Sequence, residues 1–446
     1  MKVSKKALLK GMHSFFKNLI FSVLFLSIII ETLAFYMPLF RDEEQKTVKS
    51  VLTDFYEEDK DIAEIVFVGS SALYRFIAPT QIYSDYGVVT LNYAAGALDI
   101  APTCAIIDEV IKYQHPKVIA IEMRNYVNNS EEYMSGKGHT EFQMLKKESY
   151  FDKFINSMPL SRNRMRVIND TVPTTLKKTK DEVLEYQFEY FTTHHNWKNL
   201  TFKDFVEYTK ERKNSESPFY YQDQVKMVEK YYNNELTSQP LTTEIDEETG
   251  KERTVPYEFP VYKGSPYKGT IAVSNYAYQE PVDYTNFEER NKIDGYWLQM
   301  LERIMKKAKK CETEVVFFTS PHLLTETEMA YENTMADILA ENGLDFICGN
   351  KLVHEIGLDF EEDYYDDMHV NVRGMVKFTD YISDYLINKY DIDKSELTEE
   401  QKAEWDTASE KWISEVKEPG IKTVNEKIAK YKPIRQKEAA MKKSAS

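Results

Sequence analysis

Short runs of apolar, largely β-branched residues recur along the chain at Glu64, Val88, Val118, Glu314 and Asp345. Runs of this length, bounded by turn residues, predict buried strands. Between most of them the apolar positions fall three and four apart, which predicts helices packed by one face. Thr80–Tyr86 is one such segment, stopped by Gly87. A second opens at Asp99 or Pro102 and continues to Tyr113, with Ile106, Ile107, Val110 and Ile111 on a shared face and His115–Pro116 at its end. Further along, Asn291–Cys311 predicts a helix. Thr325–Asn342 predicts another, in which Thr325 and Glu328 have capping-box spacing and Gly343 is the stop. Gly374–Leu386 is the expected closing helix. Strand and helix alternating in this way predict a three-layer α/β/α domain, a parallel sheet with helices on both faces.

The alternation fails from about residue 130 to 291, which reads as a long mixed insertion between two parts of one sheet. It contains helical pieces at Glu182–Phe191 and Phe202–Lys213, and a charged turn, Thr243–Arg253, that reads as a hairpin tip. Its aromatic residues, among them Trp197, Tyr220, Tyr221, Tyr231 and Tyr232, suit stacking on sugar rings, although aromatic area at such density more often forms a small core.

At the start, Lys2, Lys5, Lys6, Lys10 and Lys17 precede the apolar run Asn18–Phe40, which at helical rise is long enough for a hydrocarbon layer of roughly 30 Å. The expectation is a single-pass anchor at 18–40, with residues 1–17 cytoplasmic and everything after Phe40 outside. A cleaved signal peptide is the alternative, because the charge-free core Leu19–Ile30 has the right length for one; the small residues Thr32 and Ala34, however, are followed by Phe35, Tyr36 and Met37. Glu31 is costly in lipid unless it lies near the outer interface or meets a partner helix. Residues 41–60 then read as a spacer or first surface helix and 61–390 as the main domain. Residues 391–446 read as a charged helix and tail, with Trp405, Trp412 and Val416 on one face, a break at Pro419–Gly420 and a loose lysine-rich end.

Composition narrows the partners. A formal charge of −16 argues against nucleic acid, which demands a basic face. Cys104, Cys311 and Cys348 make no disulfide framework and read as small buried side chains. No CxxC pair or His/Cys cluster suggests a metal, and His194 and His195 lack a partner at ligand spacing.

The candidate chemistry lies at the ends of the main domain. In EIVFVGSSALYR, residues 64–75, a buried strand delivers Ser70 and Ser71 to the edge of a sheet and passes into a helix. A serine there is also a natural helix N-cap. Far downstream, Asp366 and His369 are three residues apart, so that one turn can set a carboxylate against one ring nitrogen and leave the other free. A Gly-Ser-Ser block early and an Asp-x-x-His block late resemble the SGNH (GDSL-type) hydrolase superfamily, and VGSSALYR is similar to its membrane-anchored branch. That branch is typified by the D-alanine transfer protein of teichoic-acid modification and by polysaccharide O-acetylation proteins.

The resemblance spans Ile65 to Leu386 in separated blocks and implies the flavodoxin-like SGNH fold, with Ser71 as nucleophile, His369 as base and Asp366 orienting it. It further implies Gly96, after the second strand, as an oxyanion donor. Asn125 stands near the family's further donor, without the flanking Gly and Asp; Arg124 is an equal candidate for a polar contact with substrate. Ser70 is expected to be secondary, at most lending a hydrogen bond. His322, at a strand end on the same edge, is expected to be a satisfied loop residue rather than a second base. The implied activity is acyl transfer or ester cleavage outside the membrane on cell-wall or exported polysaccharide, in company with a membrane-embedded O-acyltransferase. This serine chemistry needs neither a metal nor an organic cofactor. A neutral or amino-bearing polymer suits the acidic chain at least as well as a polyphosphate. A polysaccharide deacetylase and a non-catalytic scaffold are the alternatives.

Overall fold

The computed structural model describes residues 5–36, 51–128, 151–152, 154–187, 200–206, 241–245, 252–256 and 267–445. All five apolar runs are strands of one parallel sheet: β1 (Ile65–Gly69), β2 (Thr90–Ala94), β3 (Val118–Glu122), and, after a hairpin of β4 (Leu241–Ile245) and β5 (Glu252–Pro256), β6 (Glu314–Thr319) and β7 (Phe346–Cys348). The order across the sheet is β2-β1-β3-β6-β7. The chain therefore leaves β1 toward one edge and returns to its other side with β3, and the ends of β1 and β3 flank the switch point where open α/β sheets hold ligands.

Before the sheet come α1 (Lys5–Tyr36) and α2 (Val51–Glu57). Within and after it are α3 (Ser71–Phe76), α4 (Pro79–Tyr86), α5 (Thr103–Gln114), α6 (Arg124–Asn128), α7 (Arg162–Thr171), α8 (Lys180–Gln187), α9 (Gly295–Ala308), α10 (Glu326–Glu341), α11 (Val353–Ile356), α12 (Val372–Lys389), α13 (Glu399–Lys411) and α14 (Glu418–Ala445). Alternation along the strands sorts the core into two layers. Val66, Val68, Ile119, Ile121 and Phe317 face α5, α9 and α10, where Ile106, Val110, Trp297, Leu301 and Leu339 are buried. Ile65, Phe67, Ala120, Val316 and Phe318 face the other way, toward Leu73 and Phe76 of α3 and Met375, Phe378 and Ile382 of α12. Helices thus cover both faces of the sheet.

Several expectations need adjustment. The stretch 41–60 holds α2, whose Val51, Leu52 and Phe55 are buried in the core, so part of the expected spacer is structural. The end of the expected insertion is likewise core: Tyr267, Ile271 and Ala272 are buried in the layer that holds α3 and α12, and Val273 is buried against Tyr365. Pro419 and Gly420 do not break a helix. Helical backbone runs through them without interruption, directly after a π-helical turn in which the Glu418 N–H donates five residues back to the Ile413 carbonyl. A π-helical turn, Trp412–Lys417, joins α13 to α14 and keeps Trp412 and Val416 pointing inward. The lysine-rich end is helical to Ala445, and Lys432 pairs with Glu361 at 2.9 Å and Glu362 at 2.8 Å.

The charged turn Thr243–Arg253 includes the paired ends of β4 and β5, with Thr243 opposite Thr254; residues 246–251 lie outside the described residues. Trp197, Tyr220, Tyr221, Tyr231, Tyr232, His194 and His195 lie outside them as well. Among the described residues no helix is long and apolar enough to cross a membrane. In α1 the large apolar side chains from Phe16 to Ile29 are nonetheless exposed, Phe21 and Ile28 by more than three-fifths. That stretch covers about 20 Å at helical rise.

Candidate active site

The turn after β1 is tight because Gly69 leaves room for Glu122: a Cβ on Gly69 would stand 2.7 Å from the Glu122 Cβ. Ser70 follows as the N-cap of α3, its Oγ accepting from the Ala72 N–H at 3.4 Å. The capping role open to either serine thus falls to Ser70. Ser71 is the first residue of α3, and its Oγ lies 3.1 Å from His369 Nε2. The other ring nitrogen, Nδ1, is 3.0 Å from Asp366 Oδ2. The residues Ser71, His369 and Asp366 therefore form a continuous chain across 298 positions of sequence, at the carboxyl end of β1.

A turn rather than a helix presents His369. Asp366 Oδ1 accepts from the N–H groups of Met368 at 2.8 Å and His369 at 2.6 Å, folding the carboxylate back over its own loop. The Tyr365 N–H donates to the His369 carbonyl at 3.1 Å, and a bridge between Tyr364 and Val370 closes the loop below. The Tyr365 ring stacks on the imidazole, centroids 5.7 Å apart and nearly parallel. Burial pushes the Asp366 carboxyl up, but the His369 ring and the two backbone donors outweigh it and hold the group below the usual carboxylate range. Burial pulls His369 below its ordinary value; the Arg124 and Arg75 guanidiniums act in the same direction and Asp366 opposes them. The imidazole is therefore neutral at neutral pH, the state a general base requires.

Gly96 lies in the turn after β2, where Ala95 donates to the Gly69 carbonyl at 3.3 Å and so ties this turn to the serine turn. The N–H of Ser71, at the first position of α3, has no acceptor within its helix. Asn125 donates from Nδ2 to the Leu98 carbonyl at 2.7 Å, so its amide holds the Gly96 turn in place. Arg124 departs from expectation. It is 1 % exposed and donates through Nη1 to the Met368 carbonyl, so that it supports the base loop from within instead of facing substrate. His322 is also 1 % exposed, with Nδ1 donating to the Ser320 carbonyl at 2.9 Å, as expected for a satisfied loop residue.

Three neighbours were missed in sequence. Glu122 ends an apolar run and looks like an ordinary strand exit, yet it is buried and accepts from the Arg124 N–H at 3.0 Å and Ser320 Oγ at 3.2 Å. Arg75 lies four residues beyond Ser71, hence on the same face of α3, and its guanidinium sits 5.6 Å from the centre of the Tyr365 ring. That spacing was a usable signal for Arg75. For Tyr365, adjacent to Asp366, only the structure reveals the stacking. Among the described residues no group of three or more His, Cys, Asp and Glu side chains is arranged to hold a metal ion. Comparison with protein-family models, with curated proteins and with solved structures finds no match for this chain.

Proposed function

We propose that the chain is a serine-dependent acyltransferase or esterase of the SGNH type, held at the outer face of a membrane and acting on cell-wall or exported polysaccharide. The observation that carries the reading is the unbroken chain Ser71 Oγ, His369 Nε2 at 3.1 Å, His369 Nδ1, Asp366 at 3.0 Å, at the carboxyl end of a parallel sheet. In the first step His369 Nε2 takes the Ser71 hydroxyl proton as Oγ bonds to the acyl carbonyl carbon. The oxyanion meets the N–H groups of Ser71 and Gly96, worth roughly several kcal/mol in a site with little water. His369 then gives the proton to the departing alcohol oxygen, leaving acyl-Ser71. An acceptor hydroxyl, from polymer or from water, loses its proton to His369 and takes the acyl group. Asp366 keeps Nδ1–H directed and offsets the charge that the ring acquires. No step calls on a metal or organic cofactor.

Membrane attachment is supported by the exposed apolar side chains of α1 and the lysines before them; the apolar run continues in sequence to Phe40. A membrane-embedded O-acyltransferase would be the partner that supplies the acyl group.

A serine-directed phosphonate tests the chemistry. Ser71→Ala is expected to abolish labelling and to lower turnover by several powers of ten, whereas Ser70→Ala, which loses the cap and the contact with Glu122 but no reacting group, keeps its label. Labelling that moves to Ser70 overturns the assignment. An unmutated chain that resists labelling in membranes containing its partner favours the scaffold reading.

A further inference from the structure

The end of β3 touches both halves of the site, and neither contact belongs to the reaction itself. Glu122 lies against Gly69 and is 4 % exposed; Ser70 Oγ stands 3.5 Å from its Oε2, Ser320 Oγ 3.2 Å from its Oε1. Two residues on, the fully buried Arg124 donates to the carbonyl of Met368, the residue before His369, with its guanidinium 6.0 Å from the centre of the Phe76 ring of α3. The Arg124 N–H closes the unit by donating to Glu122 Oε1 at 3.0 Å. We propose that Glu122 and Arg124 form a buried positioning couple that sets the serine turn and the base turn in register across the sheet.

This rests on the serine-enzyme reading for its purpose, though not for its geometry. A strand end is a rigid place from which to reach two loops, and hydrogen bonds from charged groups hold them better than neutral ones. Glu122 closes β3 and Arg124 opens α6 two residues on, so a single strand exit sends one carboxylate and one guanidinium to neighbouring turns. The opposite charge of each offsets part of the cost of burying the other, since a lone guanidinium or carboxylate at this depth is strongly disfavoured. Burial pushes the Glu122 carboxyl up while the Arg124 charge opposes it. Around His369 the charged and titratable groups are Asp366 and Tyr365 on its own loop, Arg124 at the start of α6, Arg75 from α3 and His322 after β6. Of these, Arg124 is the one that both donates to the base turn and carries a full buried charge.

The test reads His369 directly. The full-length chain in detergent micelles is labelled with 13C at histidine Cε1, and His369→Gln identifies the one line among eight histidines that reports this ring. Arg124→Gln is expected to raise the His369 titration midpoint by roughly one pH unit, because a nearby like charge is gone. It is also expected to slow phosphonate labelling of Ser71 several-fold. Arg124→Lys restores the midpoint, but its point charge does not reproduce the planar donor, so labelling recovers only in part. Glu122→Gln is expected to lower the midpoint, the Arg124 charge then being less compensated, and to slow labelling.

If Arg124→Gln fails to fold, Arg124→Lys and Glu122→Gln decide the matter: both matching the unmutated chain in midpoint and labelling rate would overturn the proposal. An unchanged midpoint and rate in a folded Arg124→Gln would do the same. If the unmutated chain is not labelled, the serine-enzyme reading fails on its own, while the titration still judges whether Arg124 acts on His369.

Discussion

The two buried histidines give the site its dependence on pH. Both His369 and His322 are pulled below their ordinary value, in each case first by burial, with Arg124 adding to the effect. In the proposed reaction the neutral ring of His369 is the working form, so the labelling rate of Ser71 should be flat above about pH 6.5 and fall only at lower pH, as the ring protonates. For stability, a depressed pKa means that the unfolded chain binds protons more readily than the folded one. Stability is then fully present above about pH 6.5 and is lost as pH falls toward the folded-state values, at up to about 1.4 kcal/mol per pH unit for each histidine. His322→Asn keeps an N–H for the Ser320 carbonyl without a group that titrates in this range. Its unfolding free energy, measured by denaturant between pH 7.5 and 5.5, should decline less steeply than that of the unmutated chain; an identical slope would show that His322 is not held neutral. Asp366 and His369 were legible from their three-residue spacing, whereas Ser71, equally readable as a helix N-cap, was singled out by the resemblance of the Gly-Ser-Ser and Asp-x-x-His blocks to a known family. Glu122 was not legible, since nothing in a run such as VIAIEM tells a buried carboxylate from one that leaves the sheet into water.

At the scale of elements, strands were read well and boundaries less so. β1, β3 and β6 were marked by β-branched runs that only a sheet interior accommodates. β2 begins two residues later than the run at Val88 suggested, because Val88 and Val89 are buried before the ladder with β1 starts at Thr90. The C-terminal helices differ from expectation because a π-helical turn, Trp412–Lys417, carries the helix into Pro419–Gly420, and Pro433 also lies inside α14, so neither proline ends it. The base loop also depends on an element contact that sequence conceals. Gly374, in the first turn of α12, passes so close beneath that loop that a Cβ would stand 2.5 Å from the Asp363 carbonyl and 2.7 Å from the Val370 Cβ. Both neighbours flank Asp366 and His369, and Asp363 is held by Lys377 at 2.6 Å from the same helix, so the loop has little freedom to yield. Gly374→Ala should therefore cost about 1–3 kcal/mol in unfolding free energy and slow Ser71 labelling together, since overpacking shifts backbone. A variant that loses stability and keeps its labelling rate would show that the strain is absorbed away from the site.

For the molecule as a whole, the decisive question is where the folded body begins. Among the described residues neither apolar layer of the sheet contains one before Val51, whereas α1 exposes its large apolar side chains. α2 is different, because Val51, Leu52 and Phe55 are buried and Glu58 is one of the two carboxylates that neutralise the buried Lys268, the other being the more exposed Glu404. Lys268 also lies 4.9 Å from the centre of the Trp405 ring, so α2 helps to fix the segment before Val273 and α13 at once. A chain starting at residue 41 should then fold without detergent, with the unfolding midpoint of the full-length protein and the same rate of Ser71 labelling. A chain starting at residue 61, where the first strand alone would place the boundary, loses three buried apolar side chains worth about 5–8 kcal/mol and leaves Lys268 with a single partner. That loss is comparable to the entire stability of an ordinary domain, roughly 5–15 kcal/mol, so this chain should be largely unfolded or aggregated. Circular dichroism melts of the two truncations, run beside the full chain in micelles, separate the outcomes. Equal stability of the two truncations would show that α2 is dispensable, and a detergent requirement that persists in the chain from residue 41 would place the membrane-binding surface on the α/β body instead of on α1.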